Sequence, residues 1–450
     1  MAGIFKAYDV RGTYPDQVNE DIAFKVGYHF FDLLDEDDLA RGPVVVVSRD
    51  MRSHSVPLAR ALARGLRARG VRVIDIGLAD TPLNYFATGH LGASGGIQVT
   101  ASHNPAVYNG FKMSRRDAIP VSRDTGIGLL EELVVASTAS TDLEPRAGEE
   151  ARDVTAAYRE HILGHVEADS PRLKLVADAA NGMATTYLPI LERLNVELVP
   201  LYFELDGSFP NHEANPLKPE NLVDIEAAVR DRGCDLGVAF DGDADRAMFI
   251  DENGNAVSAD MITALLAPRF LRVEPGAAVV YDLRSSWATK EAIEEAGGKA
   301  VRERVGHSFM KATMRKLGSP FGGELAGHFY YRSNFTADSS LLTVVHLLNH
   351  LRETGGHLSQ LVAPLKRYFA TGEINFRVED KDGMIRHLAE LFADGDTDYL
   401  DGITVQYADW WFNVRPSNTE PLLRLVLEAR TGELMEEKEA ALLEHLGTPV

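Results

Sequence analysis

This sequence is poor in cysteine and contains no long apolar run. Cys234 is the one cysteine among 450 residues, which excludes an intramolecular disulfide and suits a reducing compartment. No stretch approaches the roughly 18 consecutive apolar residues of a transmembrane helix, and the N-terminus lacks the basic and apolar regions of a secretory signal. We therefore expect a cytoplasmic protein, with Cys234 as a buried structural thiol.

Positive charge is also scarce in this chain. Lys and Arg together number 46, Asp and Glu number 67, and the formal net charge is −21. An acidic surface repels nucleic acids and anionic membranes, so we expect neither as a partner. An anionic substrate would instead need a local cluster of basic residues. The protein is expected to be a monomer or a small homo-oligomer.

Three segments of the chain, beginning at residues 43, 172 and 277, share one pattern. Each has an apolar run, a polar break, a stretch of helical period that ends at Gly or Asn, and a second apolar run. This pattern predicts a strand–helix–strand unit, repeated in related α/β domains. The alternative is a single large α/β domain, but domains rarely grow beyond about 250 residues. After residue 373, mixed strand and helix patterns predict a smaller α+β domain.

The sequence DGDADR carries three alternating carboxylates, Asp241, Asp243 and Asp245, between two strand-like runs. Two such charges about 4 Å apart repel by roughly 4 kcal/mol at an effective dielectric constant of about 20, so the group needs a cation. Carboxylate oxygens favour Mg²⁺ or Ca²⁺. An EF-hand loop is disfavoured, because Arg246 stands where that loop requires Gly and the flanks are strands. Mg²⁺ is favoured because few protein ligands leave room for water or a phosphate oxygen.

The sequence TASHNP presents Ser102 in a turn after an apolar run. Serine is a weak nucleophile unless a neighbouring group activates it. Lys112, ten residues on, could supply a positive charge or act as a base. The alternative is an ordinary turn.

The sequence RPSNTEP joins two strand-like runs near the C-terminus. Arg415 offers a planar guanidinium that matches a phosphate. Ser417, Asn418 and Thr419 add hydroxyl, amide and backbone donors. This segment is therefore a candidate anion site, although an Arg-Pro turn that closes a hairpin is the alternative.

Three further motifs carry candidate residues, each of which could also be structural. GGELAGH places Glu324 and His328 in a glycine-flanked loop, where a carboxylate and an imidazole could bind sugar hydroxyl groups. VGHSFMK carries His307, and a lone histidine is more often structural than catalytic. KAYDVRG places Tyr8 and Arg11 near the N-terminus, where a basic arm is more often a surface feature.

Taken together, KAYDVRG, TASHNP, DGDADR, GGELAGH and RPSNTEP resemble the motifs of the α-D-phosphohexomutases, in that family's order. The resemblance is closest to the bacterial phosphomannomutase/phosphoglucomutase branch. It implies four α/β domains around a central cleft, the first three with related mixed-sheet topology and the fourth a smaller α+β domain. We expect a phosphoserine domain over 1–147, a metal-binding domain over 148–254, a sugar-recognition domain over 255–368 and a phosphate-binding domain over 369–450.

The resemblance also implies roles for individual residues. Ser102 would carry a phosphoryl group, and one oxygen of that group would complete a Mg²⁺ site with the three aspartates of DGDADR. The acid–base candidates, which the sequence does not rank, are Arg11, Lys112 and His328. The expected substrate contacts are Tyr8, Arg246, Arg284, His307, Glu324, His328, Arg415, Ser417, Asn418 and Thr419.

The implied reaction interconverts hexose 1-phosphate and hexose 6-phosphate, of mannose, glucose or both. It passes through a hexose 1,6-bisphosphate, which also serves as activator. The alternatives are a phosphoglucosamine mutase, a Mg²⁺-dependent sugar phosphatase and a non-catalytic phosphosugar-binding protein. Ala326 stands where the family loop usually has serine. One hydroxyl contact to the sugar is therefore missing or supplied by water, which leaves the sugar preference open.

Overall fold

The computed structural model describes residues 3–417 and 422–450. Four successive parts of the chain each form one β-sheet, and within the described residues these sheets have seven, five, five and six strands. The first three sheets are mixed and alternate with helices, whereas the fourth is antiparallel throughout. The predicted fold class, three related α/β domains followed by a smaller α+β domain, is confirmed.

The chain order gives the following elements. The first domain contains β1 Val10–Thr13, α1 Glu20–Phe30, α2 Glu36–Arg41, β2 Val44–Arg49, α3 Ser55–Ala68, β3 Arg72–Leu78, α4 Thr81–His90, β4 Gly95–Val99, β5 Tyr108–Arg115, β6 Ile119–Pro120, α5 Ile127–Ala136 and β7 Glu149–Ala151. The second contains α6 Thr155–Leu163, β8 Leu173–Asp178, α7 Leu188–Leu191, β9 Val196–Leu201, α8 Val223–Arg232, β10 Leu236–Phe240, β11 Ala247–Ile250 and β12 Ala256–Val257.

The second half of the chain continues the numbering. The third domain contains α9 Ala259–Val273, β13 Ala278–Asp282, α10 Trp287–Glu295, β14 Lys299–Glu303, α11 His307–Leu317, β15 Phe321–Gly323, β16 Phe329–Tyr331, β17 Ala337–Asp338, α12 Ser340–Thr354 and α13 Leu358–Val362. The fourth contains β18 Phe369–Ala370, β19 Ile374–Phe376, α14 Lys381–Leu391, β20 Asp396–Asp398, β21 Ile403–Gln406, β22 Trp410–Pro416, β23 Leu423–Ala429 and α15 Gly432–Leu446.

The first three sheets share one strand order. Their central parts run β3–β2–β4–β5, β9–β8–β10–β11 and β14–β13–β15–β16. In each, the first three strands are parallel and the fourth is antiparallel to the third. The loops after β4, β10 and β15 are therefore topologically equivalent. Each begins at the carboxyl end of a parallel strand, where open α/β sheets place their ligands.

The fourth domain has a core of its own. One apolar cluster links the first three domains, running from Val46 of β2 through Phe240 of β10 to Leu348 of α12. A separate cluster is built only from residues 374–446. Polar contacts join the fourth domain to the third, such as the backbone N–H of Trp287 on Glu428 Oε1 at 2.9 Å. Interfaces of this polar kind permit relative movement of domains.

Two local expectations differ from the structure. The N-terminal motif is not a surface arm, because β1 pairs with β5 and Val10 is fully buried opposite Phe111. The helical stretch after residue 182 is broken into a 3₁₀ turn, Met183–Tyr187, and the short α7. Pro189, near the start of α7, lacks an N–H group and cannot continue the preceding turn. The strand β7 pairs with β3 at the edge of the first sheet.

No helix among the described residues is both long and apolar enough to cross a bilayer. Cys234 is a buried free thiol, as predicted.

Candidate active site

Ser102 lies in the loop after β4, buried, with its backbone in the left-handed region at φ 52°. A serine in this conformation is uncommon and needs support from its surroundings. The backbone N–H of Ser102 donates to Thr100 Oγ1 at 3.0 Å, and Ser102 Oγ donates to Asp241 Oδ2 at 2.8 Å. Arg11 of β1 contacts the side chain of Asn104 in the same loop. The loop therefore directs its hydroxyl at the second domain and has a guanidinium beside it.

Arg52 binds the loop that carries Ser102. The sequence analysis did not single out this arginine. Its fully buried guanidinium donates to the carbonyl oxygens of Ser102 at 2.9 Å and Pro105 at 2.7 Å, and to those of Asn104 and Tyr108. Asp50 pairs with the same side chain at 3.2 Å. One clue was available, since Arg52 follows the buried strand β2 by three residues, and the loop after a parallel strand lies at the carboxyl edge of the sheet.

The loop after β10 brings three carboxylates together. Asp241, Asp243 and Asp245 are at most 1% exposed, and ligand oxygens from all three lie within 4.8 Å of one another. Burial, and then repulsion from the other two, raises the pKa of Asp241 well above its usual value. Asp243 Oδ1 and Asp245 Oδ1 are buried without a hydrogen-bond partner among the described residues. Such oxygen atoms fit a hard divalent cation.

Lys112 reaches the same carboxylates from β5. Its Nζ lies 2.7 Å from Asp243 Oδ2 and also contacts the carboxylate of Asp245. Burial alone would lower the pKa of Lys112, but the attraction of Asp243, Asp245 and Asp241 outweighs it and raises the pKa. Lys112 is therefore a charged donor in this structure.

His328 lies at the other side of the carboxylate group. Its Nδ1 is 2.9 Å from Asp338 Oδ2, and its Nε2 accepts a hydrogen bond from Arg246 Nε at 3.0 Å. Lys311, fully buried, pairs with the same Asp338 at 2.7 Å. A carboxylate on one ring nitrogen fixes the tautomer and orientation of a histidine. Asp338 was missed because it lies in β17, outside the motifs, whereas Lys311 ends the motif VGHSFMK, in which only His307 was singled out.

Tyr8 of the first domain contacts the third domain, next to His307 and in the part of the structure that also contains Glu324. Tyr8 donates its hydroxyl to the carbonyl oxygen of Val305 at 2.9 Å, and its ring packs edge-on against His307 with centroids 5.2 Å apart. Glu324, 2% exposed, accepts a hydrogen bond from the hydroxyl of Tyr330. Burial raises the pKa of Glu324. His307 is therefore part of a cluster that reaches the first domain.

The basic residues of the fourth domain converge on one carboxylate. Arg415, at the end of β22, lies 2.7 Å from Glu373, and Arg284 of the third domain lies 3.2 Å from it. Ser417 closes the start of the hairpin, since its N–H donates to the carbonyl oxygen of Leu422 at 2.9 Å. The predicted contacts Asn418 and Thr419 lie outside the described residues.

A hydroxyl beside a buried carboxylate group, with an arginine cluster on another domain, suits phosphoryl transfer on a phosphorylated substrate. Models of the phosphoglucomutase/phosphomannomutase α/β/α domains I, II and III match residues 2–137, 156–254 and 258–368, and the C-terminal domain of that family matches 373–445. The chain belongs to this family. It is a hexose-phosphate mutase, an isomerase.

Individual relatives agree with this membership over nearly the whole chain. A protein of Xanthomonas campestris pv. campestris described as "Phosphohexose mutases" is 42% identical over 445 residues, which cover 98% of this chain and 96% of that protein. A phosphomannomutase of Escherichia coli K12 is 38% identical over 451 residues, 98% of each chain. A phosphoglucomutase/phosphomannomutase family protein from Burkholderia thailandensis superposes with a TM-score of 0.89 at 33% identity, covering 100% of this chain and 98% of that one.

Proposed function

We propose that the chain transfers a phosphoryl group between the 1 and 6 positions of a hexose phosphate through a phosphoserine at Ser102. The observation that carries this proposal is the 2.8 Å hydrogen bond from Ser102 Oγ to Asp241 Oδ2, at the edge of a buried carboxylate group. A hydroxyl there can hold a phosphoryl group whose negative charge is balanced by neighbouring cations.

The residues of the second domain fit a resident Mg²⁺. Asp241, Asp243 and Asp245 would bind it, together with an oxygen on Ser102, and the two buried oxygen atoms without partners support this donor set. When bound, the ion would neutralise negative charge on the phosphoryl oxygens. Lys112, already paired with two of these carboxylates, adds a second positive charge at the same point.

The transfer itself is carried by residues of this chain. The bond between phosphorus and Ser102 Oγ breaks as the bond from phosphorus to the 6-hydroxyl oxygen of a hexose 1-phosphate forms. The hydroxyl proton leaves to a base, and Ser102 Oγ takes up a proton from an acid as its bond to phosphorus breaks. Arg11, Lys112 and His328 are the candidates for these two roles. His328 is favoured as the base because Asp338 Oδ2 lies 2.9 Å from its Nδ1 and orients the ring. Its Nε2 now accepts a hydrogen bond from Arg246 Nε at 3.0 Å, which the sugar hydroxyl would have to displace. The product of this half-reaction is a hexose 1,6-bisphosphate.

The bisphosphate must then turn over so that its 1-phosphoryl group returns to Ser102. Arg284, Arg415, Ser417, Asn418 and Thr419 would grip whichever phosphate is not reacting, since a phosphate presents nearly the same oxygens from either end of the sugar. Glu324 would accept hydrogen bonds from sugar hydroxyls, and the remaining proposed contacts are Tyr8, Arg246 and His307. The separate core of the fourth domain supports an opening that allows turnover and product release.

The relative named as a phosphomannomutase and the family description phosphoglucomutase/phosphomannomutase support mannose phosphates, glucose phosphates or both as substrates. We propose hexose 1,6-bisphosphate as the activator, because it is the intermediate of this reaction. We assign the phosphoserine, metal, sugar and phosphate functions to the four domains in chain order. A cytoplasmic enzyme, either a monomer or a small homo-oligomer, fits the scarcity of cysteine and of positive charge.

The test is the Ser102→Ala variant, assayed on mannose 1-phosphate and glucose 1-phosphate with a trace of the 1,6-bisphosphate. We expect turnover to be abolished and the fold to be retained by circular dichroism. Ser53→Ala, an exposed serine of the same domain, is the control and should keep full activity. Near-normal turnover of Ser102→Ala would contradict the proposal. Release of free phosphate from the wild-type protein, in place of isomerised sugar, would instead indicate a phosphatase.

A further inference from the structure

Glu373 lies among three arginine side chains in this structure. Its Oε2 is 2.7 Å from Arg415 Nη2 and 3.2 Å from Arg284 Nη1, and its Oε1 is 2.9 Å from Arg424 Nη1. Burial alone would raise the pKa of Glu373, but the charges of Arg284, Arg415 and Arg424 outweigh it and lower the pKa to about 2. Glu373 is therefore a fixed negative charge in the middle of the basic cluster.

The carboxylate of Glu373 occupies N–H groups that the arginine cluster would need for its proposed binding of phosphate. A phosphate binds arginine through the same N–H groups that a carboxylate uses, so the two anions compete for one guanidinium. Arg415 is only 2% exposed and its Nη2 donates to Glu373. A phosphate that reaches Arg415 must therefore share or displace the Glu373 contact.

We propose that Glu373 is an internal anion that the non-reacting phosphate of the substrate displaces from Arg415, and that it thereby limits the affinity of the enzyme for phosphate. This inference rests on the proposed function, in which Arg415 binds that phosphate. The opposite arrangement is a Glu373 that stays in contact and only orders the arginines. The two arrangements predict changes of affinity with opposite sign when the carboxylate is removed.

The location of Glu373 also gives it a part in product release. It stands at the start of the fourth domain and bridges Arg284 of the third domain to Arg415 of the fourth. When phosphate leaves, the carboxylate can return to the same guanidinium groups, so the arginines do not remain unpaired. Without the Glu373 carboxylate, no anion takes the place of the departing phosphate, and dissociation of the product becomes slower. Removal of the carboxylate should therefore lower KM and, where release limits turnover, lower kcat as well.

The experiment compares Glu373→Gln with wild type by calorimetric titration of inorganic phosphate and by steady-state kinetics. We expect the dissociation constant for phosphate to fall about tenfold, equivalent to about 1.4 kcal/mol, with KM reduced and kcat not increased. Glu373→Asp keeps the charge and should bind phosphate nearly as wild type does. Glu379→Gln, the same change at an exposed glutamate of the same domain, should leave phosphate affinity unchanged.

Several results would overturn the proposal. The first is a phosphate affinity of Glu373→Gln that is equal to or weaker than that of wild type. The second is a gain in phosphate affinity in Glu379→Gln as large as that in Glu373→Gln, because such a gain would be a general effect of net charge. A structure of the wild-type protein with bound phosphate supplies a test free of folding defects. If Glu373 and Arg415 remain 2.7 Å apart in that structure, as they are here, the proposal is overturned. Because the titration needs no turnover, an active Ser102→Ala variant would refute the phosphoserine without changing this result. Unaltered phosphate binding in Arg415→Gln would show that Arg415 does not bind the phosphate, which is the premise of this proposal.

Discussion

Replacement of Arg52 by methionine tests how the loop after β4, which carries Ser102, is held in place. Arg52 is completely buried, and its guanidinium donates to four carbonyl oxygens of residues 102–108 while pairing with Asp50. Methionine fills similar space but donates no hydrogen bond, so the Asp50 carboxylate and the four carbonyl groups lose their common partner. Removal of one member of a buried ion pair costs about 3–5 kcal/mol.

The same substitution should affect catalysis in a characteristic way. Ser102 has a left-handed backbone, φ 52°, that Arg52 supports through the Ser102 carbonyl oxygen at 2.9 Å. A displacement of a reacting atom by about 1 Å can lower a rate by about 100-fold. We therefore expect kcat to fall about 100-fold in Arg52→Met, whereas KM changes little because the proposed contacts to the non-reacting phosphate lie on the third and fourth domains.

The measurement combines urea unfolding with steady-state kinetics on mannose 1-phosphate. Arg60→Met, the same change at an exposed position of α3, is the matched control and should behave as wild type. Arg52→Lys keeps the charge without the planar fork and should be intermediate in both stability and kcat. A stable Arg52→Met variant with unchanged kcat would refute the reasoning that this arginine positions the nucleophile.

Two further predictions concern Ala326, in the loop after β15, and the buried histidine His346 in α12. Ala326→Ser should restore a neutral hydrogen bond of about 0.5–1.5 kcal/mol and lower the KM for at least one of the two hexose 1-phosphates by roughly 2- to 10-fold; unchanged KM values for both would show that no sugar hydroxyl lies in reach. Burial, and then the charges of His165 and Arg269, lowers the pKa of His346 to about 3. The unfolded chain takes up this proton near pH 6.5 and the folded chain does not, so the free energy of unfolding should fall on acidification, by roughly 1.4 kcal/mol near pH 5.5. His346→Phe should remove that part of the pH dependence in urea titrations, and an unchanged slope would contradict it.

The sequence predicts the sheets of the first three domains well because their signals are local. The apolar run of β2 is buried on both faces, with Val45, Val46 and Val47 at most 1% exposed, so its length and composition are enough to mark a central parallel strand. The loops of TASHNP, DGDADR and GGELAGH follow such strands directly. Their position at the carboxyl edge of a sheet could therefore be inferred from neighbouring residues alone.

The contributions that sequence reasoning missed depend on partners far away in the chain. Val10 is buried by Phe111 across the β1–β5 pairing, and nothing near residue 10 indicates that strand. Glu373 acquires its surroundings from Arg284, 89 residues earlier, and from Arg415, 42 residues later. Asp338 is closer in sequence to its partner, but it contacts His328 because β16 and β17 pair. Contacts of this kind arise from the tertiary fold and leave no pattern of spacing or composition.

The equivalence of the loops after β4, β10 and β15 has a consequence for how such a protein can change. Each loop starts and ends on paired strands, so residues can be added to any one of them while the hydrogen-bond ladders beneath stay intact. A lengthened loop after β15 would alter the surroundings of Glu324 and leave the loops that carry Ser102 and the three aspartates undisturbed. Under the proposed function, sugar recognition and phosphoryl transfer thus lie on separate copies of one strand–loop–strand unit, and either can diverge without the other.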